Sequence, residues 1–277
     1  MTEARAGEPV DRHLPAPRPV PGPADRAAFT YSIVVPVFNS EGVVGRTIER
    51  VAEVFEGAGL SYELILVNDG SRDGSWERVV ALSRERAEVR GMDLTRNFGQ
   101  HSALLAGVHA ARNEVIVTLD DDLQNPPEEI PRLLDALTPE VDLVYGVPAV
   151  SAHPTHRRLG GATLRAILRV VTGRREALLG SGFRTFRSEL VERLPADAGE
   201  NFVLDSALRS ETDRVGSVAV RHEPRRNGRS NYTLWMLVRL AVVEIATDLP
   251  FRRSRSSGAP TYRVRTVTEP QPSRHVR

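Results

Sequence analysis

The segment Ser32-Ile-Val-Val-Pro-Val37 is a short, continuous apolar run, and the residues that follow it change to helical spacing. Within residues 41–58 the apolar side chains lie three or four positions apart, at Val44, Ile48, Val51 and Phe55. A strand that is apolar throughout is typical of a parallel sheet, whose two faces are both covered. This first strand and helix therefore predict an α/β fold.

The same alternation continues along the first half of the chain. The sequence predicts further strands at 63–67, 90–94, 114–119 and 142–145, and further helices at 75–86, 101–111 and 126–137. Strands that alternate with helices form right-handed crossover units, which place the helices over the sheet. The predicted fold class is α/β, a mostly parallel, Rossmann-like sheet with helices on both faces in a single domain.

Both ends of the chain differ in composition from its middle. Residues 1–28 contain six prolines, and residues 251–277 contain seven arginines and one glutamate. We expect a disordered Pro-rich leader over 1–28, a folded domain over 29–250 and a disordered Arg-rich tail over 251–277. The net charge is only +1, so the body that carries this tail is acidic. The tail predicts contact with an anionic membrane surface, and a merely solubilising role is the alternative.

Composition also excludes several kinds of chemistry. The chain has no cysteine, which excludes disulfides, cysteine zinc sites and a thiol nucleophile. All 37 basic residues are arginine, which excludes a Schiff-base lysine and a P-loop. Neither a secretory signal nor an uncharged run of about 18 apolar residues occurs, so we expect a cytoplasmic protein.

Polar residues follow each of the first four predicted strands. These exits are Asn39-Ser40-Glu41, Asn68-Asp69-Gly70-Ser71, Arg96-Asn97-Phe98-Gly99 and Asp120-Asp121-Asp122. Ligands of open α/β sheets bind at the carboxyl ends of the strands. Strand alternation places Asp120 and Asp122 on one side, where their oxygens suit Mg²⁺ or Mn²⁺ together with substrate phosphates. The alternative is a capped helix start, which explains Asn125 and Glu128 but not three successive acids.

The other candidates are weaker when each is taken alone. Asp69 can accept hydrogen bonds from a base or ribose, although its surroundings also suit an ordinary turn. Arg96 beside a glycine suits a diphosphate, whereas a single histidine such as His101 is more often structural. The run His222–Tyr232 combines arginines with a serine, which suits either a phosphate cradle or a solvated basic loop.

Four motifs resemble, in order, those of family 2 glycosyltransferases of GT-A fold. They are Val34-Val-Pro-Val-Phe-Asn39, Val67-Asn-Asp-Gly-Ser71, Arg96-Asn-Phe-Gly-Gln-His101 and Leu119-Asp-Asp-Asp-Leu-Gln-Asn-Pro-Pro-Glu128. The closer likeness is to the polyprenyl-phosphate branch, which includes dolichyl-phosphate mannosyltransferases and undecaprenyl-phosphate 4-deoxy-4-formamido-L-arabinose transferase. The arabinose-type enzymes look nearest, and the likeness covers residues 31–245.

The resemblance implies an inverting, metal-dependent enzyme that moves a sugar from a nucleotide-diphosphate sugar to a polyprenyl phosphate. It implies Asp120 and Asp122 as ligands of Mg²⁺ or Mn²⁺, with Asp122 closest to the metal and Gln124 near the donor sugar. The implied nucleotide pocket contains Pro36, Asn39, Glu41, Asp69 and Asp120, to which we add Arg96. The residues implied to meet the acceptor phosphate or the donor diphosphate are Arg225, Arg229 and Ser230.

Two features leave the acceptor open. Relatives of this branch usually continue into two transmembrane helices, whereas this chain continues into the basic tail. A phosphate acceptor needs no general base, but a hydroxyl acceptor does, and Asp205 is the candidate. The alternatives are therefore a soluble GT-A enzyme with a hydroxyl acceptor and, less favoured, an inactive binding protein of the same fold.

Membrane contact is expected to be peripheral, on the inner face of the cell membrane. The candidate interfacial helices are residues 156–171 and 232–247, which pair arginines with apolar side chains. Contacts within the core or within a homo-oligomer are the alternative for both. Nucleic acid is not an expected partner, because Phe251 and Tyr262 are the only aromatic residues of the tail.

Overall fold

The computed structural model describes residues 26–149, 181–196, 199, 202–223 and 261–268. Within these ranges the strands are β1 (Thr30–Val37), β2 (Ser61–Asn68), β3 (Val89–Leu94), β4 (Val115–Thr118), β5 (Leu143–Pro148), β6 (Arg184–Arg187), β7 (Val215–Val220) and β8 (Val264–Val267). The α-helices are α1 (Glu41–Gly57), α2 (Ser75–Glu85), α3 (Gln100–Ala110), α4 (Ile130–Ala136) and α5 (Leu204–Glu211). Short 3-10 helices cover Arg26–Ala28, Pro127–Glu129 and Ser188–Arg193.

All eight strands join one sheet in the order β7-β5-β6-β4-β1-β2-β3-β8. The central part of the sheet is parallel and consists of β4, β1, β2 and β3. At one end of the sheet, β5 runs parallel to β7. The antiparallel strands are β6, which lies between β4 and β5, and β8 at the edge. The prediction of a mostly parallel sheet is confirmed.

The sheet has a separate apolar core on each face. Alternate residues of β1 point to opposite cores, since Ile33 and Val35 belong to one and Val34 to the other. Helices α1, α2 and α4 cover the first face, and α3 and α5 cover the second. The helical spacing at Val44, Ile48, Val51 and Phe55 places all four side chains in the first core, fully buried. Each such burial contributes about 1.5–3 kcal/mol.

The predicted leader of residues 1–28 is three residues too long at its inner end. Arg26–Ala28 forms a 3-10 helix, and the carbonyl of Arg26 accepts a hydrogen bond of 2.9 Å from the hydroxyl of Tyr31. Arg26 also forms an ion pair with Asp135. These contacts join the residues before β1 to the domain, whereas residues 1–25 lie outside the described part.

The prediction of a disordered tail from residue 251 is wrong for residues 261–268. This segment contains β8 (Val264–Val267), which pairs antiparallel with β3 at the edge of the sheet. Thr261 is buried, and the hydroxyl of Tyr262 lies 3.0 Å from Nδ1 of His109. The sequence predicts a tail here because a strand of four residues without alternating apolar and polar positions cannot be distinguished from an irregular chain by its pattern alone.

Candidate active site

The carboxyl ends of β1, β2, β3 and β4 lie side by side, because these strands are parallel neighbours. The connections that leave them are loop 1 (residues 38–40), loop 2 (residues 69–74), loop 3 (residues 95–99) and loop 4 (residues 119–126). The structure therefore brings together the four polar exits that the sequence singled out. Pro36 is buried near the end of β1.

Loops 1 and 2 are joined by hydrogen bonds in both directions. The backbone N–H of Asn39 donates to the hydroxyl of Ser71 at 3.0 Å, and the side-chain oxygen of Asn39 accepts from the N–H of Arg72 at 2.9 Å. Glu41, the first residue of α1, accepts from the N–H of Gly74 at 3.1 Å. Asn39 and Glu41, which the sequence assigns to the nucleotide pocket, thus hold its rim together.

Asp69 joins loop 2 to loop 3. Its two carboxylate oxygens accept hydrogen bonds from the N–H groups of Phe98 and Gly99, at 2.7 and 2.9 Å. Asp69 is buried, and this burial raises the pKa of its carboxyl group, while the two N–H donors and Arg96 oppose the rise. Both oxygens are thus engaged by the chain itself, so Asp69 shapes the pocket through loop 3.

Gly70 allows this close approach of loops 2 and 3. A Cβ at Gly70 would lie 2.5 Å from the backbone nitrogen of Asn97, and its φ of +64° is in the left-handed region. In loop 3, the guanidinium of Arg96 lies 4.0 Å from the ring centroid of Phe98. This contact holds Arg96 at the edge where a diphosphate is expected.

The acidic residues of loop 4 close the ring of loops. The side-chain amide of Gln100, the first residue of α3, donates to Asp120 at 2.6 Å. Asp121 turns to a different neighbour and accepts from the N–H of Phe38 in loop 1 at 3.3 Å. Asp122 accepts from the N–H of Gln124 at 3.0 Å. Each loop is therefore fixed by the next, which holds the carboxylates in place before any ligand binds.

Backbone strain is concentrated in the same loops. Among the described residues, Asn39 (φ +52°) and Leu123 (φ +59°) are the two non-glycine residues with positive φ. A left-handed conformation costs a leucine on the order of 1–2 kcal/mol. Backbone strain of this kind persists where function requires a particular geometry. The strained residue Leu123 directly follows Asp122, which supports loop 4 as the reactive centre.

The segment that enters the predicted phosphate loop is fastened to loop 4. The N–H of Glu223 donates to the carbonyl of Gln124 at 2.8 Å, and Nδ1 of His222 lies 3.2 Å from the side-chain oxygen of Asn125. Asn125 and Glu128 do not cap a helix: Glu128 pairs with Arg50 instead. The assigned residues Arg225, Arg229 and Ser230 lie outside the described part of the chain.

A buried ion pair lies directly behind loop 4. Arg184 of β6 pairs with Asp205 of α5, and its Nε donates to the hydroxyl of Thr118 at 3.0 Å. Thr118 in turn donates to the carbonyl of Gly182 at 2.6 Å. A Cβ on Gly182 would lie 2.5 Å from an oxygen of Asp120, so the pair supports the residues that contact this carboxylate.

A family model described as glycosyl transferase family 2 matches residues 32–194, which is more than half of the chain. The chain belongs to glycosyl transferase family 2. It is 32% identical over 224 residues to the undecaprenyl-phosphate 4-deoxy-4-formamido-L-arabinose transferase of Edwardsiella ictaluri, covering 80% of this chain and 69% of the relative. The corresponding enzyme of Pectobacterium atrosepticum is 34% identical over the same length.

Solved structures confirm the GT-A type of fold. Glucosyl-3-phosphoglycerate synthase from Mycobacterium tuberculosis, in complex with Mn²⁺, UDP and phosphoglyceric acid, superposes with a TM-score of 0.61. The two sequences are 24% identical, and the superposition covers 81% of this chain and 78% of the synthase. The complex of the same enzyme with Mn²⁺ and UDP-glucose also has a TM-score of 0.61. The predicted α/β architecture is thus confirmed, and the family match confirms the predicted enzyme class, a glycosyltransferase.

The donor set of the glycosyltransferase fits a hard divalent cation in part. Carboxylate oxygens at Asp120 and Asp122 are ligands that Mg²⁺ and Mn²⁺ accept. In the ranges that the structure describes, no three His, Asp or Glu side chains form a group that could hold a metal ion. Such a cation usually takes one or two carboxylates and completes its shell with substrate phosphates and water, so the oxygen donors of Asp120 and Asp122 are compatible with it.

Three residues of the site were missed by the sequence analysis. Phe38 is an exposed aromatic side chain in loop 1, although most aromatic residues of the domain are buried. Gln100 and Gly182 both contact Asp120. Phe38 and Gln100 stand inside the quoted motifs, so the signal for them was present. Gly182 is separated from Asp120 by more than sixty residues, and only the pairing of β4 with β6 brings it there.

His101 gives the glycosyltransferase a testable response to acid. Burial lowers the pKa of its imidazole from the ordinary value of 6.5, and no described residue supplies a hydrogen-bond partner for its Nδ1. The unfolded chain therefore binds the proton more readily, so stability is lost as the pH falls below about 6.5. We expect the melting temperature to fall between pH 7.5 and 5.5, and to fall less in His101→Gln. Equal slopes in both proteins would contradict this assignment.

Proposed function

We propose that this glycosyltransferase moves a sugar from a nucleotide-diphosphate sugar to a polyprenyl phosphate, with inversion at the anomeric carbon. The proposal includes a divalent cation, Mg²⁺ or Mn²⁺, at Asp120 and Asp122. The acceptor is supported by the name of the matched relatives, and the donor class by the Mn²⁺ and UDP bound to the structural neighbour from Mycobacterium tuberculosis. The cation, when bound, would neutralise the diphosphate that departs with the nucleotide.

The residues of the ring have separate parts in this reaction. Loops 1, 2 and 3 form the nucleotide side, where Pro36, Asn39, Glu41, Asp69 and Arg96 stand. Asp120 and Asp122 face the diphosphate side, and Gln124 is proposed to contact the donor sugar. Because Glu223 is hydrogen-bonded to Gln124, the chain enters the proposed acceptor loop, with Arg225, Arg229 and Ser230, directly beside the donor site.

The burial and ion pairing of Asp205 are the observation that favours a phosphate acceptor over a hydroxyl acceptor. A hydroxyl acceptor requires a general base, and Asp205 was the candidate in the sequence. In the structure Asp205 is 7% exposed and is paired with the buried Arg184. The carboxylate of Asp205 is thus engaged by a residue of the domain core, which disfavours a role for it as the base of a hydroxyl acceptor. A phosphate monoester, with a second pKa of about 6, is already largely dianionic and attacks without a base.

A transfer assay tests the proposal. Purified full-length protein is incubated with a panel of nucleotide sugars and either Mg²⁺ or Mn²⁺, with undecaprenyl phosphate or with a long-chain alcohol as the acceptor. We expect a glycosyl phospholipid by mass spectrometry, formed with the phosphate acceptor and absent after chelation of the metal. Transfer to the alcohol alone would replace the proposal with the hydroxyl-acceptor alternative.

Peripheral contact with a membrane is a further part of the proposal. Among the described helices, none has the length and apolar character needed to cross a bilayer. The candidate interfacial helices at 156–171 and 232–247 lie outside the described residues, as does most of the tail. The support is the Arg-rich composition of the tail and the lipid in the relatives' name.

We therefore expect the glycosyltransferase to co-sediment with vesicles that contain an anionic lipid at low salt. It should leave them at high salt, since ions screen charges over about 10 Å at 0.1 M. Neutral vesicles serve as the control. A protein that stays in solution with anionic vesicles at low salt would contradict the membrane proposal. Light scattering of the purified protein without vesicles reports whether it is a homo-oligomer.

A further inference from the structure

Strand β8 extends the sheet directly beside the nucleotide side of the site. It pairs with β3 through Met92 and Val267, Asp93 and Thr266, and Leu94 and Val264. The pairing continues past the end of β3, where the N–H of Thr95 donates to the carbonyl of Arg263 at 2.9 Å. The family match ends at residue 194, so β8 lies beyond the region to which that match assigns a role.

Arg265 links β8 to the end of β3 and to the start of loop 3. One guanidinium nitrogen lies 2.9 Å from Oδ2 of Asp93, and another donates to the carbonyl of Thr95 at 2.7 Å. Asp93 is buried at the end of β3, and its Oδ1 accepts from the side-chain amide of Asn68 at 2.7 Å. Since Asn68 precedes Asp69, a single side chain of β8 connects the ends of β2 and β3.

Loop 3 is consequently fixed at both of its ends. At its start, Thr95 is held through its N–H by Arg263 and through its carbonyl by Arg265. At its end, the N–H groups of Phe98 and Gly99 are held by Asp69. Arg96, the residue that we assign to the donor nucleotide, lies between these two attachments.

The charge of Arg265 has a specific role in this arrangement. The side chain of Asp93 is 3% exposed, and a buried carboxylate is costly unless it is paired. Asn68 supplies a neutral hydrogen bond, and Arg265 supplies the opposite charge. Removal of that charge alone would favour movement of Asp93 toward water, and Thr95 and Asn68 are attached to the same cluster.

We propose that Arg265 is a positioning residue for the donor nucleotide, which acts by holding Asp93 and Thr95 so that loops 2 and 3 keep their relative placement. This inference rests on the proposed function, because it takes these loops as the nucleotide side. Arg265 itself does not touch the donor. Its loss should therefore affect the binding of the nucleotide and leave the chemical step largely intact.

The test compares Arg265→Gln with Arg263→Gln in the full-length protein. Arg263 is exposed and directly precedes β8, and its side chain forms no hydrogen bond or ion pair with a described residue, so it controls for the loss of one positive charge. We expect Arg265→Gln to raise the KM for the nucleotide sugar, and the Kd for the matching nucleoside diphosphate, by about tenfold, the size of one charge-assisted hydrogen bond. The kcat should change by less than about threefold.

A second variant separates positioning from a general structural defect. Asp93→Asn in the Arg265→Gln background removes the buried charge and keeps an oxygen to accept from Asn68. We expect it to restore most of the nucleotide affinity. The proposal is overturned if Arg265→Gln leaves the Kd and KM unchanged, if Arg263→Gln has the same effect, or if kcat alone falls.

These outcomes are distinct from failure of the proposed function. The transfer assay with the wild-type protein tests the proposed reaction. The Arg265 inference is tested separately, by the ratio of the Kd of the variant to that of the wild type in calorimetric binding of UDP and the other nucleoside diphosphates. Transfer with unchanged binding in Arg265→Gln overturns only the inference. A wild-type protein that binds none of these nucleotides overturns the inference, and transfer to a hydroxyl alone overturns only the choice of acceptor.

Discussion

Replacement of Asp122 by asparagine is expected to lower kcat/KM for sugar transfer by at least about a hundredfold. Loss of one group that stabilises the charge of a transition state typically costs a factor of 100 to 1,000. The carboxamide keeps an oxygen that can accept from the N–H of Gln124, the contact of 3.0 Å that Asp122 makes in the structure. The variant should therefore fold normally, and its circular dichroism and melting temperature should match the wild type.

Asp121→Asn is the matched control for this variant. Asp121 stands beside Asp122 but accepts from the N–H of Phe38 in loop 1, an interaction that a carboxamide oxygen preserves. We expect its activity to stay within about fivefold of the wild type, because it removes a charge without removing a metal ligand. Calorimetric titration of Mn²⁺ with a nucleoside diphosphate present should show weaker binding only in Asp122→Asn. Equal losses in the two variants would show that loop 4 responds to total charge, and that the metal ligand is assigned wrongly.

The second large effect is expected for stability, at the buried pair of Arg184 and Asp205. Arg184 is 1% exposed and Asp205 is 7% exposed. Arg184→Met would leave the carboxylate of Asp205 buried without its partner, and such a loss costs about 3–5 kcal/mol. Urea unfolding of the variant should show this decrease in the free energy of unfolding.

The double variant Arg184→Met, Asp205→Leu tests the physical reason. Replacement of both members of a buried pair by apolar side chains is often neutral or stabilising. We therefore expect the double variant to recover most of the lost stability. Its transfer activity should still be reduced, because Thr118 loses the hydrogen bond from Arg184 and no longer supports Gly182 against Asp120 in the same way. A double variant as unstable as Arg184→Met would refute the explanation by unpaired charge.

The second prediction also bears on the choice of acceptor. If Asp205 is a structural partner of Arg184, activity in Asp205→Asn should keep the pH dependence of the wild type, since no proton transfer passes through this group. Loss of a single ionisation from the pH profile would instead support a hydroxyl acceptor with Asp205 as the base.

The parallel part of the fold was predictable because its signals are local. The apolar run from Ser32 to Val37 and the helical spacing from Val44 to Phe55 are complete within a few residues, and each predicts one element of the structure. The exits Asp69 and Asp120 were found in the same way. Parallel strands place all their carboxyl ends at one edge, so the sequence alone indicates that these side chains come together.

Contacts between distant residues could not be derived from such signals. The sequence predicts Asp69 as a ligand-binding carboxylate, and only the structure shows that its two oxygens also accept from the N–H groups of Phe98 and Gly99. Asp205 looks like a candidate base, but it is paired with Arg184. In each case the nature of the side chain was clear, while its partner depends on which loops and strands become neighbours.

The sequence by itself determined the alternation of strands and helices, the order of the four motifs and the acidic residues at the end of β4. Only the tertiary structure decided that Val264–Val267 adds an eighth strand, that Arg265 reaches Asp93 and that a closed ring of hydrogen bonds joins the four loops. The physical reason is that a strand of four exposed residues has no core-facing pattern of its own. Its place depends on the free edge of β3, which exists only after the parallel sheet has formed.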